Sequence, residues 1–234
     1  PSSVSKIFCL RGMFSVAGVK FYGDGSLGAR SAALLEDYSD DPGNRGLIVT
    51  EETVLYEKAL KCHRAGFRCA THAIGDRANR MVLDVYERVM REAPGTGLMH
   101  RIEHSQILSP GDIPRFAGLG VIPSMQFIHC TSDMPWAGER VGAKRLEGAY
   151  AWRSLIDAGS RIPGGSDYPV ESIRPLLGIY AAVTRQARCS RRTAQRSPPR
   201  SLVCIKSPFR GVMGVGRSAA AIFAGYQRIR DRGL

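Results

Sequence analysis

The feature that most constrains this chain is a rhythm. Up to about residue 186, short apolar runs alternate with longer amphipathic stretches, which is how a parallel βα protein reads. Five strands are expected, at 14–22, 67–72, 98–104, 120–126 and 160–166. Between them, 51–65 has helical periodicity with acidic residues at its start, and Asp76 is the expected cap of a helix running to about residue 91. Ser109-Pro110-Gly111-Asp112 opens a short helix, a long loop carrying Trp136 follows the fourth strand, and a further helix is expected at 148–158.

Residues able to do chemistry sit where the strands stop. Lys20 lies near the end of the first strand, His72 ends the second and His104 the third, Gln126 and His129 follow the fourth, and Asp167 follows the fifth. In parallel βα proteins the C-terminal strand ends converge on one face, so these side chains are expected to point at one place. Two imidazoles and a carboxylate are the donors that borderline divalent metals such as Zn²⁺ prefer. A metal there lowers the pKa of its water toward ~7 and polarises a carbonyl, which is hydrolytic chemistry.

The bland alternatives are concrete. Lys20 can be a solvated strand-end lysine, His72 and His104 satisfied core histidines, and Asp167 a turn cap before Tyr168-Pro169. His63 and His100 fall inside a helix and a strand and read as structural. Asp24 reads as a turn residue bordering the site. Glu103 precedes His104, so alternation is expected to point it away from the centre.

The words around these residues are more specific than their spacing. Val19-Lys20-Phe21-Tyr22-Gly23-Asp24-Gly25-Ser26-Leu27-Gly28, His72-Ala73-Ile74-Gly75-Asp76-Arg77-Ala78, Arg101-Ile102-Glu103-His104-Ser105-Gln106, Ser124-Met125-Gln126, Gly148-Ala149-Tyr150-Ala151-Trp152-Arg153 and Gly165-Ser166-Asp167-Tyr168-Pro169-Val170 occur in this order. Together they closely resemble the amidohydrolase superfamily, in its family 3 branch of metal-dependent hydrolases, from about Val19 to Gln186.

The resemblance implies an α/β fold, a TIM-like (β/α) barrel of which strands four to eight are present. It implies a divalent metal cofactor, zinc, as one or two ions held by Lys20, His72, His104 and Asp167, with Lys20 carboxylated where two ions are bridged. Asp167 is then both ligand and catalytic proton shuttle. Independently of the resemblance, Gln126, His129, Trp136 and Tyr168 lie in or beside segments that follow strands, where substrate contacts are often built, and are the candidate substrate contacts, with a structural role as the alternative for each. The expected reaction is hydrolysis of a non-peptide C–N bond, an amide or N-acyl bond of a small molecule. The family's His-x-His pair, first three strands and small β domain have no counterpart here, so this chain alone is expected to be inactive. Homo-oligomerisation is left open.

Composition bears mainly on the tail. Of 33 basic and 21 acidic residues, 187–234 hold 11 basic and one acidic, so the formal charge of +12 belongs mostly there. No run approaches a membrane span, and nothing matches a specific nucleic-acid fold. Six scattered cysteines fit a reducing, cytoplasmic setting. Two rival functions remain: polyanion binding through the basic tail, and a non-catalytic barrel relic. The Arg/Ser/Pro-rich 187–234 segment is expected to be either disordered or an out-of-frame reading of a GC-rich gene. On the second reading, an alternative frame downstream of codon 186 restores family-like sequence. Sequencing the gene checks this, and finding no such frame removes the idea.

Overall fold

The computed structural model describes residues 16–186. The basic 187–234 segment, with the readings given to it, lies outside the described residues. Four short strands, β1 (Gly18–Tyr22), β2 (Arg68–Ala73), β3 (Arg101–His104) and β4 (Ile122–Ser124), form one parallel sheet in the order β1-β2-β3-β4. Parallel neighbours require crossovers. Helices α1 (Glu52–Arg64), α2 (Asp76–Glu92) and α3 (Ile113–Leu119) supply them. After β4 come α4 (Phe127–Asp133), α5 (Ala137–Arg145), α6 (Trp152–Asp157) and α7 (Pro175–Thr184). Among the described residues no helix is long and apolar enough to cross a membrane.

Two expectations need correction. The segment 160–166 makes only a single parallel bridge, Met125 to Gly164, because Pro163 brings no N–H to a ladder and two glycines follow it. The loop carrying Trp136 contains two helices, α4 and α5. Each is too short for its period to show in the sequence, and Gly142 at φ 71° kinks the second.

One face of the sheet is closed by α1 and α2. Cys69, Thr71, Ala73 and Ile102 lie buried on that face against Leu55 and Ala59 of α1 and Val82, Val85, Tyr86 and Val89 of α2. Full burial of each large apolar side chain contributes about 1.5–3 kcal/mol. Tyr86 also fixes registry: its hydroxyl donates to the Arg101 carbonyl (3.1 Å) and pairs with Thr71 Oγ1 (2.7 Å), tying α2 to β2 and β3. Burial holds that phenol far above its ordinary pKa.

His63 and His100 meet in this core. The Cys69 N–H donates to His100 Nδ1 (3.0 Å), so the His100 proton sits on Nε2 and is donated to His63 Nδ1 (2.8 Å). His63 Nε2 then donates to the Ala93 carbonyl (2.8 Å). The chain of bonds is complete only with both rings neutral. Burial, reinforced by His63, accordingly depresses the His100 pKa to about 4.

A base depressed in the folded state stabilises above its unfolded pKa and loses that contribution as pH falls. Wild type is therefore expected to lose about 2 kcal/mol relative to His100→Gln between pH 6.5 and pH 5. Denaturant unfolding across that range measures the difference, and parallel pH profiles would contradict it.

Candidate metal centre

The register assigns the open face of the sheet. Tyr22, His72, Glu103 and Ser124 are paired across all four strands and form one row, with Lys20 two residues below Tyr22. Lys20 is exposed by area, yet the groups gathered round its ammonium displace enough water to lower its pKa, against the opposing pull of Glu103 and Asp167. Glu103 therefore shares the face of Lys20 and His72, contrary to expectation. Arg101 holds its carboxylate through two bonds (2.8 and 3.2 Å) and also reaches Ser124 Oγ (2.6 Å).

Alternation is right about Glu103 and His104 facing oppositely; it fails on which of them reaches the open face by the sheet's own pleat. His104 pairs with Ala73, a helix-side position, but its backbone turns into the left-handed region at φ 75°, followed by Ser105 at φ 43°. That turn brings its ring against His72, edge to face, with centroids 4.5 Å apart. Two adjacent non-glycine residues in that region cost of order 1–3 kcal/mol each and cluster where function demands them. Nothing in the sequence signals this turn.

His72 is oriented from behind. Its Nε2 donates to the Gly25 carbonyl (3.0 Å) and lies 3.4 Å from an Asp24 carboxylate oxygen, so Nδ1 is left free with its lone pair. Burial lowers the His72 pKa first of all, favouring the neutral ring. Asp24 is more than a turn residue. Its two oxygens accept the N–H groups of Ala33 (2.8 Å), Ile74 (2.9 Å) and Gly75 (2.8 Å). Burial nevertheless outweighs these bonds and raises its pKa to about 7.

Gly75 is required beside it, since a Cβ there would lie 1.9 Å from the Ala33 carbonyl oxygen. Asp76 opens α2 as its first residue, with Gly75 in the cap position, and accepts the N–H of Leu35 (2.9 Å), fastening the 26–50 loop a second time.

The third wall is α4. Gln126 precedes it and His129 follows one turn on, its ring stacked on His104 at 5.8 Å. Burial depresses the His104 pKa to about 3, helped by His72, His129 and Lys20, with Gln126 pulling the other way. Asp133, at the end of α4, accepts from Tyr150 Oη (2.5 Å) and Gln106 Nε2 (2.9 Å), which anchors the helix to the segment after β3. Gln106 and Tyr150 belong to quoted sequence words, but no spacing rule pairs them.

Asp167 is exposed at φ 53° and acts electrostatically on both Lys20 and His72. Tyr168 is 65% exposed at the rim. Trp136 packs against the core, where a Cβ added at Gly28 would lie 3.4 Å from its ring, with the Arg140 guanidinium 5.6 Å from the ring centre.

Lys20, His72, His104, His129 and Asp167 thus share one end of the sheet. Among the described residues, no three His, Cys, Asp or Glu side chains converge tightly enough to hold an ion unaided. The donors suit one even so. His72 presents a free Nδ1, and His104 Nδ1 is buried without a partner, as are Gln126 Oε1 and His129 Nε2. An imidazole with one nitrogen bonded to the protein and the other free, as His72 is, is how histidine meets Zn²⁺.

A family model described as "Amidohydrolase family" matches residues 10–202. The chain is 38% identical over 169 residues to the putative amidohydrolase YtcJ of Bacillus subtilis (strain 168), covering 72% of this chain and 31% of that protein. It is 39% identical over 171 residues to LONG AFTER FAR-RED 3 of Arabidopsis thaliana, covering 73% and 29%. An uncharacterized metal-dependent hydrolase from Pyrococcus horikoshii OT3 superposes with a TM-score of 0.69 at 36% identity, over 76% of this chain and 35% of that one. The chain therefore spans about a third of the length of these relatives.

Asp24→Ala leaves three buried N–H groups without an acceptor, each costing about 1–3 kcal/mol. The variant is expected to lose about 3 kcal/mol or more in urea unfolding and to be cut by protease within 26–50. A loop that stays resistant would show that Asp24 does not hold it.

Proposed function

This chain belongs to the amidohydrolase family, and on that premise we propose that it forms part of a metal-dependent hydrolase cleaving non-peptide C–N bonds, the amide or N-acyl bonds of small molecules. The observation that carries the reading is the His72–His104 pair. Two neutral imidazoles stand 4.5 Å apart at neighbouring strand ends, one freed by its bond to Gly25 and the other turned inward by a strained backbone. The parallel sheet would be one arc of a TIM-like barrel, β1 to β4 matching its fourth to seventh strands and the 160–166 segment its eighth. The C-terminal strand ends are where such barrels build their sites.

His72 and His104, through their Nδ1 atoms, would hold a divalent ion together with Lys20 and Asp167. Zinc fits this nitrogen-rich set. The lowered pKa of Lys20 brings it nearer the neutral amine that carboxylation requires. When bound, the ion supplies Lewis-acid polarisation of the carbonyl and a more acidic water. The remaining work falls to the chain. Asp167 takes a proton from the attacking water and returns it to the departing amine. Gln126 and His129 contact the substrate, Tyr168 borders the entrance, and Trp136 shapes the wall behind. Arg101 keeps the Glu103 carboxylate facing Lys20, balancing positive charge on the open face.

In the complete gene product, metal analysis is expected to find zinc, and Asp167→Asn is expected to lower amide hydrolysis about a hundredfold or more, the scale of a general acid–base contribution. Hydrolysis retained in that variant would remove Asp167 from the role assigned to it.

A further inference from the structure

Beside His104, two atoms of α4 and its cap are buried and make no hydrogen bond of normal length, Gln126 Oε1 and His129 Nε2, and the pull of Gln126 on the His104 ring is the smallest of the influences on that ring. Gln126 is only 7% exposed. Buried side-chain acceptors are nearly always satisfied, because an orphaned one forfeits its bonds to water and gains nothing in return. One that persists beside a reactive centre marks the place of a ligand's donor.

These atoms are also held in place. Asp133, one helical turn beyond His129, accepts from Tyr150 Oη and Gln106 Nε2, and Gln106 Nε2 bonds Tyr150 Oη as well (2.7 Å). The helix is thus braced through its own Asp133 by two side chains from two other segments. Its recognition atoms are ordered before any substrate arrives, which lowers the entropy cost of binding.

We propose that Gln126 reads the nitrogen side of the scissile bond, its Oε1 accepting the N–H of an N-monosubstituted amide, with His129 Nε2 making a second contact to the same substrate. This rests on the reading of the centre as a C–N hydrolase and narrows its substrate class. An N,N-disubstituted amide or an ester brings no N–H, so it leaves Oε1 as unsatisfied as before. A site built around one hydrogen bond discriminates strongly against analogues that cannot make it.

The test compares 4-nitroacetanilide with its N-methyl derivative, binding each to the full chain in the presence of zinc, with zinc occupancy followed by chelator competition. The secondary anilide is expected to bind about tenfold or more tightly, the scale of one buried hydrogen bond. Gln126→Ala is expected to abolish the preference, and Gln126→Glu, which keeps an acceptor, to retain it. Equal affinities in a zinc-loaded chain, or no binding of either anilide, would overturn this assignment and leave the metal centre standing. Preference surviving in Gln126→Ala, or lost equally in Gln126→Glu, would also overturn it. A chain that takes up no zinc would overturn the reading of the centre itself.

Discussion

At the end of β1 a single carboxylate, Asp24, accepts N–H groups from three places: Ala33 in the long loop, and Ile74 and Gly75 where β2 gives way to α2. The same group stands 3.4 Å behind His72. Strand end, loop and histidine are therefore fixed by one side chain, and a shift in any of them leaves buried donors without an acceptor. Placing a carboxylate out of water is unfavourable, and three N–H bonds offset only part of that. The arrangement persists because Gly75 lets the Ala33 carbonyl approach at a distance no side chain would tolerate.

The chain's five histidines show how environment divides one residue type between roles. His63 and His100 use up their ring nitrogens on each other and on backbone groups, so they have nothing left to offer a ligand. His72 spends one nitrogen and keeps one, while His104 and His129 each hold a buried nitrogen with no partner. All five can read as core residues in isolation; hydrogen-bond accounting separates them. The three with unspent nitrogens lie together at the strand ends, where Lys20 and Asp167 also act on His72.

Much of the scaffold is legible because it is periodic. The 3.6-residue period of α1 and α2 and the apolar runs of β2 and β3 announce themselves, and the Lys20–His72 relation follows from both lying at parallel strand ends. Failures occur where local rules meet irregular backbone. Glu103 faces the open side and His104 is brought round by a positive φ, which no residue pattern encodes for a histidine. The 160–166 segment looks like a strand but pairs at one point, because Pro163 lacks the donor a ladder needs. The two helices after β4 are too short to carry a readable period.

The sequence by itself determined the class of fold and the kinds of atom available at the strand ends, because burial patterns and quoted motifs are properties of consecutive residues. It also carried the family, through words that recur in order along the chain. Only the tertiary structure decided which histidines keep an unspent nitrogen, that Asp24 sits behind His72, and that Gln106 and Tyr150 brace α4 through its Asp133 from separate segments. Those facts depend on contacts between residues far apart in the chain, 47 positions in the case of His72 and Gly25. Hydrogen bonding at such separations is fixed by packing, and local spacing does not encode it.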